Sequence, residues 1–231
     1  MPVFAIPILL MLPVVFWLGN KRKKIKADNG ENLPDEPKSE SLSEILHFAM
    51  RDCTYWCLLI GFSTCGFHMA IIETHLFSQY ISCGIPNNLA SLTLTVYGIF
   101  TMLGAVMTGF LGQKFRMKNV LAFVYGIRVL IAVSFIVLPK SVPFAFIATG
   151  ILGLTGDSTV PPTTGIISRK VGVAKMAVVY GSIFIGHQIG AFVSAWLGGV
   201  FASTTLGYSA LWIVDLCLCL TAAIASYRIK D

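Results

Sequence analysis

The residues of this chain with the most chemistry to offer lie where water is scarce. His68, Glu73, His75, Arg128, Asp157, His187, Gln188 and Asp215 all fall inside long apolar stretches. An ionisable group in hydrocarbon is costly unless it pairs or serves the path of a solute. Imidazole titrates near neutral pH, and a carboxyl removed from water can be raised toward it, so His68, Asp157 and His187 can take up and release protons. A guanidinium such as Arg128 can grip a carboxylate through two parallel hydrogen bonds. At the helical rise, His68 lies roughly 21 Å and His187 roughly 17 Å from the lysine-rich end of their stretches, and Asp157 roughly 20 Å from the opposite end of its own. A hydrocarbon core of roughly 30 Å puts all three within one or two turns of its midplane, with Tyr97 at similar depth. Glu73 and His75 lie nearer the surface. The bland alternative for a lone intramembrane His is a hydrogen bond to a neighbouring carbonyl. Pro161 and Pro162, one turn beyond Asp157, either break the helix and line a cavity with carbonyls, or only bend it with Asp157 as a cap.

The elements that carry these residues are seven apolar stretches: 1–19, 54–81, 89–111, 120–138, 144–167, 176–202 and 209–227. Each is long enough to cross a bilayer as a helix. The 231 residues are 55% hydrophobic with a mean hydropathy of +0.77, which leaves no length for a soluble catalytic domain. Fifteen of the 17 Lys and Arg fall in alternate gaps; the exceptions are Arg128 and Lys140. Cytoplasmic loops retain Lys and Arg, so the N-terminus is expected outside and the C-terminus in the cytoplasm of a multi-pass plasma or inner membrane protein. The charge of the first stretch follows it, as Lys21–Lys26, which favours a membrane helix over a signal peptide. The net charge of +6 is this loop bias and points to membrane lipid as partner, not nucleic acid.

Three regions are expected: a membrane helix over 1–19, a basic then disordered linker over 20–52, and a six-helix bundle over 53–231. Within the linker, Ser41-Leu-Ser-Glu44 matches a capping box and starts a short interfacial helix. Ser182, Gly186, Gly190, Ser194 and Gly198 recur every fourth residue, as do Gly104, Thr108 and Gly112, so two helices are expected to pack closely along small-residue stripes. The six Cys include no C-x-x-C pair, and no metal site or cofactor is expected. The chain lacks H-E-x-x-H, G-x-S-x-G and G-x-x-x-x-G-K-[ST], so neither an enzyme nor a nucleotide-driven pump is indicated.

One helix, a long basic linker and six further helices resemble the C-terminal half of a major facilitator superfamily transporter, preceded by the last helix of its N-terminal half. Gly109-Phe-Leu-Gly-Gln-Lys-Phe-Arg-Met-Lys118 resembles the superfamily's G-x-L-x-D-R-x-G-R-K turn: Gly109, Leu111, Lys114 and Lys118 fit, while Gln113 replaces the acid and Arg116 the second Gly. Gly61-Phe-Ser-Thr-Cys-Gly-Phe-His68 and Phe184-Ile-Gly-His-Gln-Ile-Gly190 look like the monocarboxylate and oxalate/formate porter branch.

The resemblance implies a substrate or proton site at His68, Tyr97, Asp157, His187 and Gln188, which fall on helices bordering the family's central cavity. It puts Arg128 and Asp215 on neighbouring peripheral helices, which favours an ion-pair network with Glu73 as a further member. The function implied is secondary transport of a small organic anion such as a monocarboxylate, by alternating access, with proton coupling available. A missing N-terminal half or a second copy would complete the pathway. The alternative is a non-transporting scaffold or truncated remnant.

Overall fold

A computed structural model describes residues 41–205 and 207–230, with Pro13 apart from them. The expected helix over 1–19 and the basic stretch after it lie outside the described residues. The described residues are helical throughout, joined by short turns. Helix α1 (Leu42–Met50) buries Ile45 and Ala49. The first crossing, Cys53–Ser82, is composite: α2 (Cys53–Ala70), a π-helical segment Ile71–Leu76, and α3 (Phe77–Ser82). Asp52 caps α2, its carboxylate accepting from the Thr54 amide at 2.8 Å. Then follow α4 (Asn87–Lys114), α5 (Met117–Val137), α6 (Val142–Thr155), α7 (Val160–Val171), α8 (Val173–Ala202) and α9 (Tyr208–Tyr227). Five crossings among the described residues are single helical spans long and apolar enough for a membrane.

The remaining segment, fourth in chain order, is the broken one. A single stretch over 144–167 is expected from hydropathy, but α6 ends at Thr155 and a 3₁₀ turn, Asp157–Thr159, leads into α7. The break lies before the prolines. Pro161 and Pro162 occupy the first turn of α7, where a missing N–H costs nothing because that donor has no helical partner. Thr159, not Asp157, stands at the N-cap position of α7. Only Gly172 separates α7 from α8, and its φ of +81° is open to glycine at little cost.

Packing is pairwise: α2 on α8, α4 on α6 and α5 on α9 make the most extensive contacts. Lipid supplies no hydrophobic drive between helices, so small residues must let backbones meet. A Cβ added at Gly66 would stand 1.9 Å from the His187 carbonyl oxygen, and one at Gly190 would stand 2.1 Å from that of Ser63. At Gly104 the obstacle is the Leu154 carbonyl, 2.2 Å away. Both expected stripes therefore form close seams. Away from the seams α4 and α8 turn large apolar side chains outward, among them Met102, Phe110, Phe192 and Trp196. The interior holds two apolar clusters, one around Phe62, Tyr125 and Ile183, the other around Leu76, Phe135 and Trp212.

Candidate functional site

The break between α6 and α7 leaves helix carbonyls without intrahelical donors, in a place where water cannot supply them. Arg128, fully buried on α5, meets that need: its Nη2 donates to the Thr155 carbonyl and, at 2.8 Å, to that of Gly156. The guanidinium thus sits at the negative end of α6. Its carbon lies 5.4 Å from the centre of the Tyr125 ring. Nε and Nη1 have no hydrogen-bond partner among the described residues. Cys65 of α2 closes the other side, its Sγ 3.2 Å from Thr159 Oγ1 and 3.8 Å from the Gly156 oxygen.

Asp215 does not take Arg128 as its bonded partner, as the expected ion pair would require. Its Oδ2 lies 2.8 Å from His68 Nδ1, with both side chains fully buried. The Cys219 thiol donates to Oδ1 at 3.6 Å. Trp212 packs edge-on to His68, stacks on Phe135 at 4.1 Å and donates to Gln79 Oε1 at 2.9 Å. The physical reason is register. Arg128 is taken up by the break, and the face of α2 that carries His68 turns toward α9. His68, Asp215 and Cys219 bring a nitrogen, a carboxylate oxygen and a sulfur within 4.8 Å of one another, donor types that suit a transition metal.

A second group gathers on the other side of α2. Glu73 and Asp157 both act electrostatically on the Tyr97 hydroxyl, and Asp157 and His187 both act on Glu73. Tyr97 Oη lies 3.2 Å from where a Cβ on Gly156 would stand, so it reaches the break. That oxygen is buried and unpartnered among the described residues, as is His187 Nδ1. The His187 ring stacks on Phe184 at 5.2 Å and tilts against Phe62 at 5.1 Å. Asp157 and His187 are half-buried; Glu73 and Gln188 are exposed.

Of the five residues expected to form one site, Tyr97, Asp157 and His187 are thus brought into one neighbourhood. Gln188, next to His187 on α8, is exposed, and His68 is withdrawn to the Asp215 side. Glu73, expected with Arg128 and Asp215, stands instead with Tyr97 and Asp157. The helical spacing that puts His68 and His75 on one face does not hold, because the π-helical segment begins between them; His75 Nε2 lies 3.1 Å from the Ala195 carbonyl on α8. Hydropathy hides Cys65 and Cys219, which read as small apolar residues.

The family model of the Major Facilitator Superfamily matches residues 80–231. The chain belongs to the major facilitator superfamily. It is also 27% identical, over 168 residues, to the uncharacterized MFS-type transporter YcxA of Bacillus subtilis (strain 168); the match takes in 70% of this chain and 40% of that protein. The match spans less than half the length of that relative. Superfamily membership and the five apolar spans make this a multi-pass membrane protein with a partial superfamily fold, in contact with lipid. They point to transport rather than enzyme catalysis.

Proposed function

We propose that this chain is the C-terminal half of a secondary transporter for a small organic anion such as a monocarboxylate, working by alternating access with proton coupling. The supporting observation is the group Tyr97, Glu73, Asp157 and His187 beside a broken helix. Tyr97 Oη and His187 Nδ1 are buried and unpartnered among the described residues, and α4 and α8 expose bulky apolar side chains. Unsatisfied polar atoms at membrane depth fit a solute path, and broken helices line such paths. Two carboxyl groups repel an anion. A proton on Glu73 or Asp157 removes that repulsion, so proton and anion would bind together. His187 then supplies a donor for the anion, and the Tyr97 hydroxyl a second. The resemblance of the His68 and His187 segments to the monocarboxylate and oxalate/formate porters supports the anion class. In this reading the N-terminus lies outside and the basic turns in the cytoplasm. The regions 1–19, 20–52 and 53–231 act as last N-terminal helix, linker and C-terminal bundle. A matching N-terminal half, or a second copy, forms the opposite wall.

Proteoliposome uptake of the longer protein, with and without an inward proton gradient, tests this. A radiolabelled monocarboxylate should enter faster with the gradient, and the 231-residue chain alone should be inactive. Two carboxyl groups in one site also favour a second reading, a cationic solute; uptake of an organic amine driven against a proton gradient would replace the first. The alternative of a non-transporting scaffold or remnant predicts no uptake of either, from the longer protein or from this chain.

A further inference from the structure

We infer that the basic end of the bundle holds a binding site for an anionic phospholipid, with the headgroup phosphate between α1 and the ends of α2, α7 and the C-terminal segment. A cavity of about 680 Å³ opens there. Among the described residues its rim carries Arg51, Lys170 and Lys230 against one acid, Asp52. Lys170 and Asp52 satisfy each other at 2.8 Å. Arg51 and Lys230 are exposed and make no hydrogen bond or ion pair among the described residues. Two cations therefore face an opening with no anion of their own among the described residues.

The height of the rim matches a headgroup. Asp52 immediately precedes α2, Lys170 sits in the last turn of α7, and Lys230 lies three residues past the end of α9. These are the ends of membrane-spanning segments, the level at which phosphates lie and at which basic pockets between helices take anionic headgroups. The position of Lys230 is fixed, because Ile229 beside it is buried and its carbonyl accepts from Lys118 Nζ at 3.0 Å.

The floor is apolar. Leu58, Val179 and Ile183 line it, and Leu58 lies roughly 9 Å deeper than Asp52 along the helix axis. A free phosphate would use the rim alone. A phospholipid uses both, its phosphate on Arg51 and Lys230 and the start of an acyl chain over Leu58 and Val179. Helix α1 exposes Phe48, which lines the cavity, and Leu42, as an element seated at the lipid interface would. The site is separate from the Tyr97–Asp157 group, and its test needs no uptake.

Delipidated full-length chain in neutral detergent is heated with phosphatidylglycerol, with phosphatidylcholine or with inorganic phosphate, and retained lipids are counted by native mass spectrometry. Phosphatidylglycerol should raise the melting temperature by about 3 °C or more over phosphatidylcholine. It should remain bound as one tight copy. In Arg51→Gln/Lys230→Gln the two lipids should act alike. Lys230→Glu, a change at one exposed position, gives the same comparison if the double variant does not fold. Equal shifts from both lipids in the unaltered chain overturn the proposal, as does selectivity that survives the substitutions. A shift from inorganic phosphate equal to that from phosphatidylglycerol would assign the site to a free anion instead. Selectivity that emerges only after Asp28, Glu31, Asp35, Glu36 and Glu40 are neutralised would assign the rim to the chain's own acids and overturn the lipid site.

Discussion

His68 and Glu73 lie five residues apart on one crossing and live in opposite worlds. His68 is sealed: fully buried, bonded to Asp215, walled by Trp212. Glu73 is exposed and shares its field with Asp157 and His187. The π-helical segment starts at Ile71, between them, and its wider turn shifts the phase of every side chain after it. On the sealed side the bonded polar atoms cross-link α2 to α9, and Arg128 links α5 to the break. On the open side polar atoms are left without partners next to that break. His68 and Arg128 each tie one polar atom across to another helix, although His68 Nε2 and Arg128 Nε and Nη1 have no partner among the described residues; the Tyr97 hydroxyl and His187 Nδ1 make no such tie. Depth alone does not separate the two kinds, since His68 lies at a depth similar to that of Tyr97, Asp157 and His187. What separates them is direction around the helix.

Arg128 offers the largest break in this contrast. Arg128→Ala strips two buried carbonyls of their donor at the break, and an orphaned buried polar group costs about 1–3 kcal/mol. We expect a loss of about 3 kcal/mol or more, seen as a collapse of the monodisperse peak in fluorescence-detected size exclusion. Arg128→Lys should restore part of it, since an ammonium reaches one carbonyl but not both. A monodisperse Arg128→Ala protein with lost uptake would move Arg128 to the open side.

Asp215 comes next. Asp215→Ala leaves the His68 ring without its Nδ1 partner in a closed interior, at a cost of about 2 kcal/mol. Asp215→Asn keeps an acceptor and should cost less than half as much, read as melting temperature in detergent. Because water and ions are excluded, neither loss should change with salt between 0.05 and 0.5 M, roughly a threefold change in screening length. If Asp215→Asn melts normally but abolishes the proton dependence of uptake, the sealed pair is part of the solute path.

The open side should behave in reverse. Tyr97→Phe and Asp157→Asn remove groups with no hydrogen bond among the described residues, so stability should stay within about 0.5 kcal/mol. Uptake by the longer protein should fall tenfold or more for Asp157→Asn and less for Tyr97→Phe. Equal stability losses on both sides would erase the distinction between them.

Much of this was legible in the sequence. Hydropathy finds each crossing in the described bundle to within a few residues, because an apolar run of that length has one use. The Gly186–Gly190–Ser194–Gly198 stripe announces the α2–α8 seam for the same reason. The depth of His68, Tyr97, Asp157 and His187 follows from counting. Their direction does not, and on the first crossing a π turn re-aims Glu73 and His75 without a sequence mark as plain as proline. The break misleads in a related way. Pro161 and Pro162 draw the eye, yet they sit comfortably in the first turn of α7, and the chain parts at Gly156, where Arg128 waits to receive the freed carbonyls. A pairing rule built on charge alone matches Arg128 with Asp215, since carbonyl oxygens carry no letter in the sequence.

The smallest effect belongs to a pair that water reaches. Asp52 and Lys170 meet at 2.8 Å with side chains about a third exposed, 38% and 34%. Partial burial pushes the Asp52 carboxyl up, but the Lys170 ammonium and the Thr54 amide outweigh it and bring the group from 3.8 down to about 2. A carboxyl lowered in the folded state contributes stability that is complete above its unfolded value and is lost as pH falls from about 4 toward 2. Solvent screening discounts that contribution heavily, so Asp52→Asn should cost well under 1 kcal/mol at neutral pH. Two readouts separate this pair from His68–Asp215. The cost should shrink when salt rises to 0.5 M, and the melting temperatures of Asp52→Asn and the unaltered chain should converge as pH is taken below 3. The Asp215→Asn difference should not respond to the salt in that way. A salt-insensitive Asp52→Asn effect would mean that the rim between α1 and α7 is as closed as the His68 pocket, and exposure would no longer be what divides structural pairs from poised ones.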